Sequence, residues 1–596
     1  PINNQCNSNC YKSTVGEQGL LNFEAMFIDS KLRVSALLCC TVFSFFNLSL
    51  AADQFPPFAG NGFSASDICS ATQYPSFCRT ALLPFGNIRS NVNDFGRISL
   101  GQAIPVARSF LQLVRTSRQM AQVLFPSLLG PLNDCELLAQ DNIDFLLFSS
   151  KSINSTNVLQ DFLAGDVQAV LSATLTNLDT CFDGLKASVS SSRVFSTLEV
   201  PIAEFVKLCS LSLNLFKRGW LYHPKQGARK LEERNHIFSS LENGVVDGLP
   251  LRMLEWDRQR FELLTNRRVL QASPVNGVNV SSMVVVDMMG RGNFTTINDA
   301  VAFAPNKTDM ASGFFLIYVM KGTYMEYVNI PRNKQYIMMI GEGIGKTIIT
   351  GNRSFVGGST TFDSSTFAVL GQGFVGINMT IRNTAGAINH QAVALRNSAD
   401  MSTFYSCSFE GYQDTLYTHS LRQFYRNCNI SGTVDFIFGN AAVVFQNCNI
   451  IVRLPMSNQF NAITAQGKTD PNQNTGIVIQ NCTVTAAREL IVSNYTVKSY
   501  LGRPWKNYST TVIMQSSIDG FINPEGWTPW NGDDGITTLY YAEYNNTGPG
   551  SITTGRVRWP GLHFINATDA YRFTVTNFTA GNFWLPITGI SFKPGL

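Results

Sequence analysis

The sequence predicts two folds in tandem, an all-α helical bundle followed by an all-β domain, a right-handed parallel β-helix. Three observations carry this expectation. From about Asp67 to Leu231, apolar residues recur at three- and four-residue steps, the period of an amphipathic helix. From about Val275 onward, short β-branched and aromatic runs alternate with Gly, Asn and Asp turns. Within that second region one pattern returns about every 20 residues, the signature of stacked repeats.

The helical expectation rests on runs such as Ile104, Ala107, Phe110, Leu111 and Val114, and Val167, Val170, Leu171, Leu175 and Leu178, with few Pro or Gly residues between them. Together they imply a bundle spanning 62–231. A charged stretch, 232–272, follows and carries Arg267-Arg268 before Val269-Leu270, which reads as an exposed processing linker; a solvated helix end is the alternative. The β-region occupies 273–596.

Ahead of the bundle, Lys31 and Arg33 precede an apolar run from Val34 to Leu50 that ends in Ala51-Ala52. A basic flank, an apolar core and small terminal residues predict a secretory signal over 26–52, with a membrane anchor as the alternative. Met26 is the expected start, which leaves 1–25 as upstream sequence outside the fold. Of the 13 cysteines, Cys6, Cys10, Cys39 and Cys40 lie in the excluded or cleaved part, and secretion makes the other nine disulfide candidates before metal ligands. Sequons such as those at Asn154, Asn279, Asn352 and Asn566 fit the same route. Hydrophobic residues make up 44% and charged residues 14%, which excludes a disordered chain. A formal charge of +4 suits proximity to an acidic polymer and is too small to indicate nucleic acid.

The repeat is explicit. Phe404 to Phe409 (FYSCSF), Phe424 to Ile430 (FYRNCNI), Val444 to Ile450 (VFQNCNI) and Ile479 to Val484 (IQNCTV) align on their cysteines. Cys407 to Cys428 is 21 positions and Cys428 to Cys448 is 20. One strand per period implies stacked coils, with asparagines beside the cysteines able to form ladders; a β-sandwich with chance similarity is the alternative. Asp414 and Asp435 each lie seven residues after a repeat cysteine. Stacking in register would set them side by side, about 4.8 Å apart at the backbone. Two such carboxylates cannot both ionise cheaply, so one would hold a proton and the other remain a nucleophile. Two turn aspartates pointing apart is the other reading. Arg503, in Leu501-Gly502-Arg503-Pro504-Trp505, is placed to keep one of them ionised, or else forms a surface salt bridge.

These residues carry a family resemblance. Gly322 to Glu326 (GTYME), Gln391 to Arg396 (QAVALR), Gly411 to Tyr417 (GYQDTLY), Gly432 to Asn440 (GTVDFIFGN) and Leu501 to Trp505 (LGRPW) appear in the order found in plant-type pectinesterases, the pectin methylesterases, and the second region strongly resembles them. The resemblance implies hydrolysis of methyl esters of polygalacturonate to pectate and methanol. It implies Asp435 as nucleophile, Asp414 as general acid and then base, and Gln391 and Gln413 as oxyanion donors. Arg503, Trp505 and Thr361, with Gln391, match substrate-contact positions, and Cys428–Cys448 matches a disulfide of the family. Gly357 stands where the family usually has Asp, and Asn531 to Gly535 (NGDDG) departs from the usual apolar pattern. The first region resembles, more weakly, the pectin methylesterase inhibitor domain, a four-helix bundle, through Cys69 and Cys78 around Tyr74-Pro75, Leu132 to Cys135, and Ala173 to Gly184. This implies disulfides Cys69–Cys78 and Cys135–Cys181, with Cys209 unpaired. It also implies cleavage by a processing protease at Arg268, with Arg229-Lys230 a poorer second site.

The expected partners are methyl-esterified homogalacturonan and a proteinaceous pectinesterase inhibitor. The protein is expected to act as an extracellular monomer in the cell wall, with no cofactor, no metal and no nucleic acid. Two rivals differ in class. A β-helical pectin glycosidase would also use paired carboxylates, but it has no use for two amide donors around a carbonyl. A pectate lyase would need an acidic calcium cluster that the sequence lacks. A non-catalytic wall-binding or inhibitory protein would act through its helical half alone. Serine chemistry is set aside because no G-x-S-x-G elbow occurs; His390, beside Gln391, reads as structural.

Overall fold

The computed structural model describes residues 64–82, 84, 90–189, 193–221, 251–265 and 277–596. The expected signal segment and both dibasic sites lie outside these residues. Four long helices, Val92–Leu124, Leu129–Ile153, Asp161–Val189 and Arg193–Phe216, form the bundle. The first starts at Asn91, whose side chain accepts from the Asp94 amide, and it buries Ala103, Ala107, Phe110, Leu111 and Val114 along one stripe. Cys69–Cys78 and Cys135–Cys181 are bonded as the resemblance implied, and Cys209 is a buried free thiol. The second bridge joins two neighbouring long helices, its Cα atoms 4.7 Å apart.

The expected linker is partly structured. Leu251–Arg252 adds a parallel strand beside Val278–Val286, and helix Glu255–Thr265 sets Phe261 edge-on against Tyr318, with ring centroids 5.5 Å apart. The charged composition of this stretch masked a few apolar anchors.

The remainder is a parallel β-helix whose coils build three sheets of 12, 8 and 7 strands. Pairing is in register: Ser408 lies opposite Asn429, and Leu416 opposite Ile437, so the coil repeat of 21 holds on both sides of the turn between them. The interior stacks like on like. Phe404 lies over Tyr425 at 5.3 Å and Tyr425 over Phe445 at 4.8 Å, alongside buried Cys407, Cys428, Cys448 and Cys482. The expected asparagine ladders form: Asn481 donates to Asn447 at 2.8 Å and Asn449 to Asn429 at 2.9 Å. Asn427, Asn447 and Asn481 all take positive φ, a conformation Asn tolerates better than most residues.

The structure corrects one pairing. Cys428 and Cys448 are free thiols, not a disulfide. Like positions on stacked coils project in parallel, so the two sulfurs are held about one strand spacing apart unless their rotamers turn toward each other. Instead Cys428 Sγ lies 3.3 Å from the Arg426 carbonyl and Cys448 Sγ 3.5 Å from that of Gln446, each two residues back in its own coil.

The bundle seats on the outer face of the seven-stranded sheet. Phe362, Val393, Tyr417, Phe438 and Ala465 of the β-helix share one apolar cluster with the bundle leucines. A charged seam frames this contact. Asp141 pairs with Arg332 at 2.5 Å, Asp166 with Arg422 at 2.6 Å, and Lys506 with Asp183 at 2.8 Å and Asp179 at 3.1 Å.

Candidate active site

Asp414 and Asp435 occupy equivalent turns on adjacent coils, just before strands Leu416–Thr418 and Ile437–Gly439. The Asp414 amide donates to the Val434 carbonyl at 3.0 Å, locking one turn onto the next. Both aspartates take positive φ, 63° and 53°, a strained state that recurs where side chains are aimed for function. The turn demands small residues upstream: a Cβ on Gly432 would fall 2.3 Å from the Phe436 Cβ. Both carboxyl groups are buried, at 7% and 4% exposure, which makes their charges mutually costly.

Arg503 breaks the symmetry. Its Nε donates to Asp435 Oδ1 at 2.8 Å and its Nη2 to Asp435 Oδ2 at 2.6 Å, a bidentate pair made with Asp435 and not with Asp414. Burial pushes the Asp414 carboxyl well above the usual carboxylate range, and the Asp435 charge pushes it further. Burial also raises Asp435, but there the Arg503 hydrogen bonds and charge pull it back. The two carboxyl groups are therefore unequal, with the guanidinium favouring the charged form of Asp435 and the neighbouring charge disfavouring that of Asp414. Trp530 covers the guanidinium at 4.1 Å and Phe460 flanks it at 5.2 Å, holding the arginine in place. Neither aromatic was singled out by sequence reasoning, because nothing in their local pattern marks them.

The two glutamines enter on consecutive coils, with the Ala392 amide bonded to the Gln413 carbonyl at 3.2 Å. Gln413 keeps its buried Oε1 without a protein partner. His390, expected to be structural, is solvent-exposed at the coil edge. Trp505 is partly buried against Phe438, with centroids 6.0 Å apart, and it lies over Gly467, where a Cβ would come 2.8 Å from the indole. Thr361 sits beside Thr360, whose hydroxyl donates to bundle Asp134 at 2.5 Å. Thus the structure brings Asp414, Asp435 and Arg503 into one cluster, while Thr361 and Trp505 lie on the sheet face that the bundle covers. Among the described residues no group of three His, Cys, Asp or Glu is arranged to hold a metal.

Seam residues were missed by the sequence reading. Burial pushes Asp134 up to about 7, opposed by the Thr360 hydroxyl and Arg396. Asp179 is pushed by burial to about 6, opposed by Lys506. Burial works against the charge of Lys506, yet Asp179 and Asp183 outweigh it and raise its pKa. Arg396 lies 3.6 Å over the Phe362 ring and is lowered by burial to about 10. The spacing of Asp179 and Asp183, one helical turn, was the one available signal, and it resembled any solvated helix face.

Comparison with known proteins follows the same division. The family model described as Pectinesterase matches residues 283–582, and that described as plant invertase/pectin methylesterase inhibitor matches 64–215. "Probable pectinesterase/pectinesterase inhibitor 20" of Arabidopsis thaliana is 52% identical over 544 residues, covering 91% of this chain and 95% of its own length. "Probable pectinesterase/pectinesterase inhibitor 41" of the same plant is 51% identical over 547 residues, covering 89% and 95%. The solved pectin methylesterase from carrot is 50% identical with a TM-score of 0.52; it is covered completely and matches 55% of this chain.

Proposed function

The chain belongs to the pectinesterase family and hydrolyses methyl esters of pectin, and from that premise we propose how its own residues divide the work. The observation that carries the proposal is the asymmetric pair: two buried carboxyl groups in register, only one of them clamped by an arginine.

Asp435, held ionised by Arg503, attacks the carbonyl carbon of the methyl ester. The carbonyl π pair moves to oxygen, where the amides of Gln391 and Gln413 donate to the developing charge. The C–OCH3 bond then breaks, and the Asp414 proton passes to the departing oxygen, releasing methanol and leaving an acyl anhydride on Asp435. Asp414, now a carboxylate, takes a proton from water as the water oxygen attacks the acyl carbon. The bond to Asp435 breaks, both acids return to their starting states, and the uronic acid product loses its remaining proton to solvent. Trp505 offers an aromatic face to the sugar chain, and Thr361 is a further contact on the covered face.

The bundle lies across this face, so we read it as an inhibitor in cis. Processing at Arg268 would separate it from the enzyme. The seat it occupies is the one a separate proteinaceous inhibitor would take, and one chain supplies every group named. Domain limits of 62–231 and 273–596 suit this division. Pectinesterases of plants are cell-wall enzymes, and no described helix is long and apolar enough to cross a membrane; export through the 26–52 segment completes the reading.

The test is methanol release. Asp435→Asn should lower kcat by at least ~1,000-fold, because no acyl intermediate forms. Gln413→Ala should lower it by about 100- to 1,000-fold with KM little changed. Retained turnover in Asp435→Asn would sink the assignment.

A further inference from the structure

Two cations near the bundle are claimed by carboxylates of the β-helix. Arg422 is satisfied within the β-helix by Asp400, at 2.5 Å. Arg503 is committed to Asp435. For Lys506 both carboxylates bonded to its ammonium, Asp179 and Asp183, belong to the bundle, as does the Asp141 carboxylate on Arg332, and of the two only Lys506 lies beside Trp505. It lies three residues beyond Arg503, and its ammonium is 5.4 Å from the Trp505 ring centroid. A cavity of about 200 Å³ remains open here beside the docked helices, lined by Trp505, Lys506, Trp530 and Asp534 among others. An aromatic face, a second aromatic wall and one cation with exchangeable anionic partners suit an acidic sugar.

We propose that Lys506 forms a carboxylate subsite, binding the free ionised carboxylate of a galacturonate unit next to the unit being demethylated, and that Asp179 and Asp183 occupy it as built-in mimics of that carboxylate. The proposal rests on the reading that Asp435 attacks the ester, since Lys506 lies three residues beyond the arginine that holds Asp435. The subsite makes the enzyme responsive to the charge state of neighbouring sugars, and so to the product of its own earlier turnovers.

The experiment uses the full chain and two probes, a fully de-esterified oligogalacturonate and its fully methyl-esterified counterpart, with binding measured by calorimetry at low salt. Asp179→Asn with Asp183→Asn should tighten binding of the de-esterified probe about tenfold and leave the esterified probe within twofold. Adding Lys506→Met should cancel that gain, and Lys506→Arg in its place should keep most of it. The proposal is overturned by no gain, by an equal gain for the esterified probe, or by a gain that survives Lys506→Met, which would mean that loosening the bundle alone opened the cleft. Melting curves of each variant report whether it is folded, and Lys506→Arg keeps the test decisive if Lys506→Met is not. Methanol release by Asp435→Asn is measured in parallel against the unsubstituted chain, both before and after proteolytic release of the bundle: activity equal to the unsubstituted chain overturns the catalytic reading, whereas a failed binding cycle overturns only the subsite.

Discussion

Two regions of this protein bring aspartates close together, and they do so by opposite means. In the β-helix, Asp414 and Asp435 are set by backbone pairing alone, one coil above the other, and the residues around them are buried and stacked. On the bundle, Asp179 and Asp183 are set one helical turn apart, and what fixes them is a lysine from another fold. The first arrangement cannot come apart without unwinding coils. The second is held by side chains whose charges respond to pH, salt and competing ligands. On the proposed function, chemistry sits in the part that cannot relax, and control in the part that can.

The contrast is sharpest if the bundle melts by itself. Cys135–Cys181 closes 46 residues, and in the chain-entropy view its loss costs about 4 kcal/mol. Replacing both cysteines with Ser should lower a first calorimetric transition while a later one, belonging to the β-helix, stays in place. A single transition that shifts as a whole would mean the two regions unfold as one.

A smaller effect should separate them by pH. Asp134 and Asp179 have pKa values of about 7 and about 6 in the docked state, against ~3.9 for a free aspartate. The docked state therefore binds more protons than the undocked state between about pH 4 and pH 7. Docking is expected to be tightest at the acid end, to weaken as pH rises through that window, and to level off above it. Hydrogen exchange in helix Asp161–Val189 should accelerate more than tenfold from pH 5 to pH 8 after correction for the intrinsic rate, and Asp134→Asn should flatten the response. An unchanged profile would place the pH sensitivity elsewhere.

The smallest effect probes the stack. Asn447→Ala removes an amide rung and puts Ala at φ 57°, costing about 1–2 kcal/mol in the β-helix transition. Bundle exchange should not respond.

How much of this was legible in the sequence follows from the same contrast. Coil stacking is a periodic property, so the cysteine spacing was enough to place Asp414 against Asp435 and to anticipate the asparagine ladders. Arg503 was legible through its short motif. The Cys428–Cys448 pairing failed because a shared register brings backbones together without turning two side chains toward each other. The seam was illegible for a different reason. Asp134, Asp141, Asp166, Asp179 and Asp183 look like surface acids on helices until the second fold is laid against them, and no local pattern encodes that encounter. The strand and helix inside the expected linker were hidden because one short pairing, Leu251–Arg252, and one aromatic contact, Phe261, fix them.

The coil repeat also constrains how such a protein can change length. Between Cys407, Cys428 and Cys448 the steps are 21 and 20 residues, yet the step to Cys482 is 34, and the strands on both sides still pair in register. The additional residues bulge sideways at the corners, and one such bulge carries Asp470 and Gln473, which touch Ser210 and Ser172 of the bundle. A coil behaves as a ruler of fixed gauge: insertions and deletions within it would rotate every later side chain off its row, whereas those at the corners leave the rows untouched. Divergence in length among related chains should therefore collect at the corners, where it remodels what the face can grip and leaves the paired acids where they are.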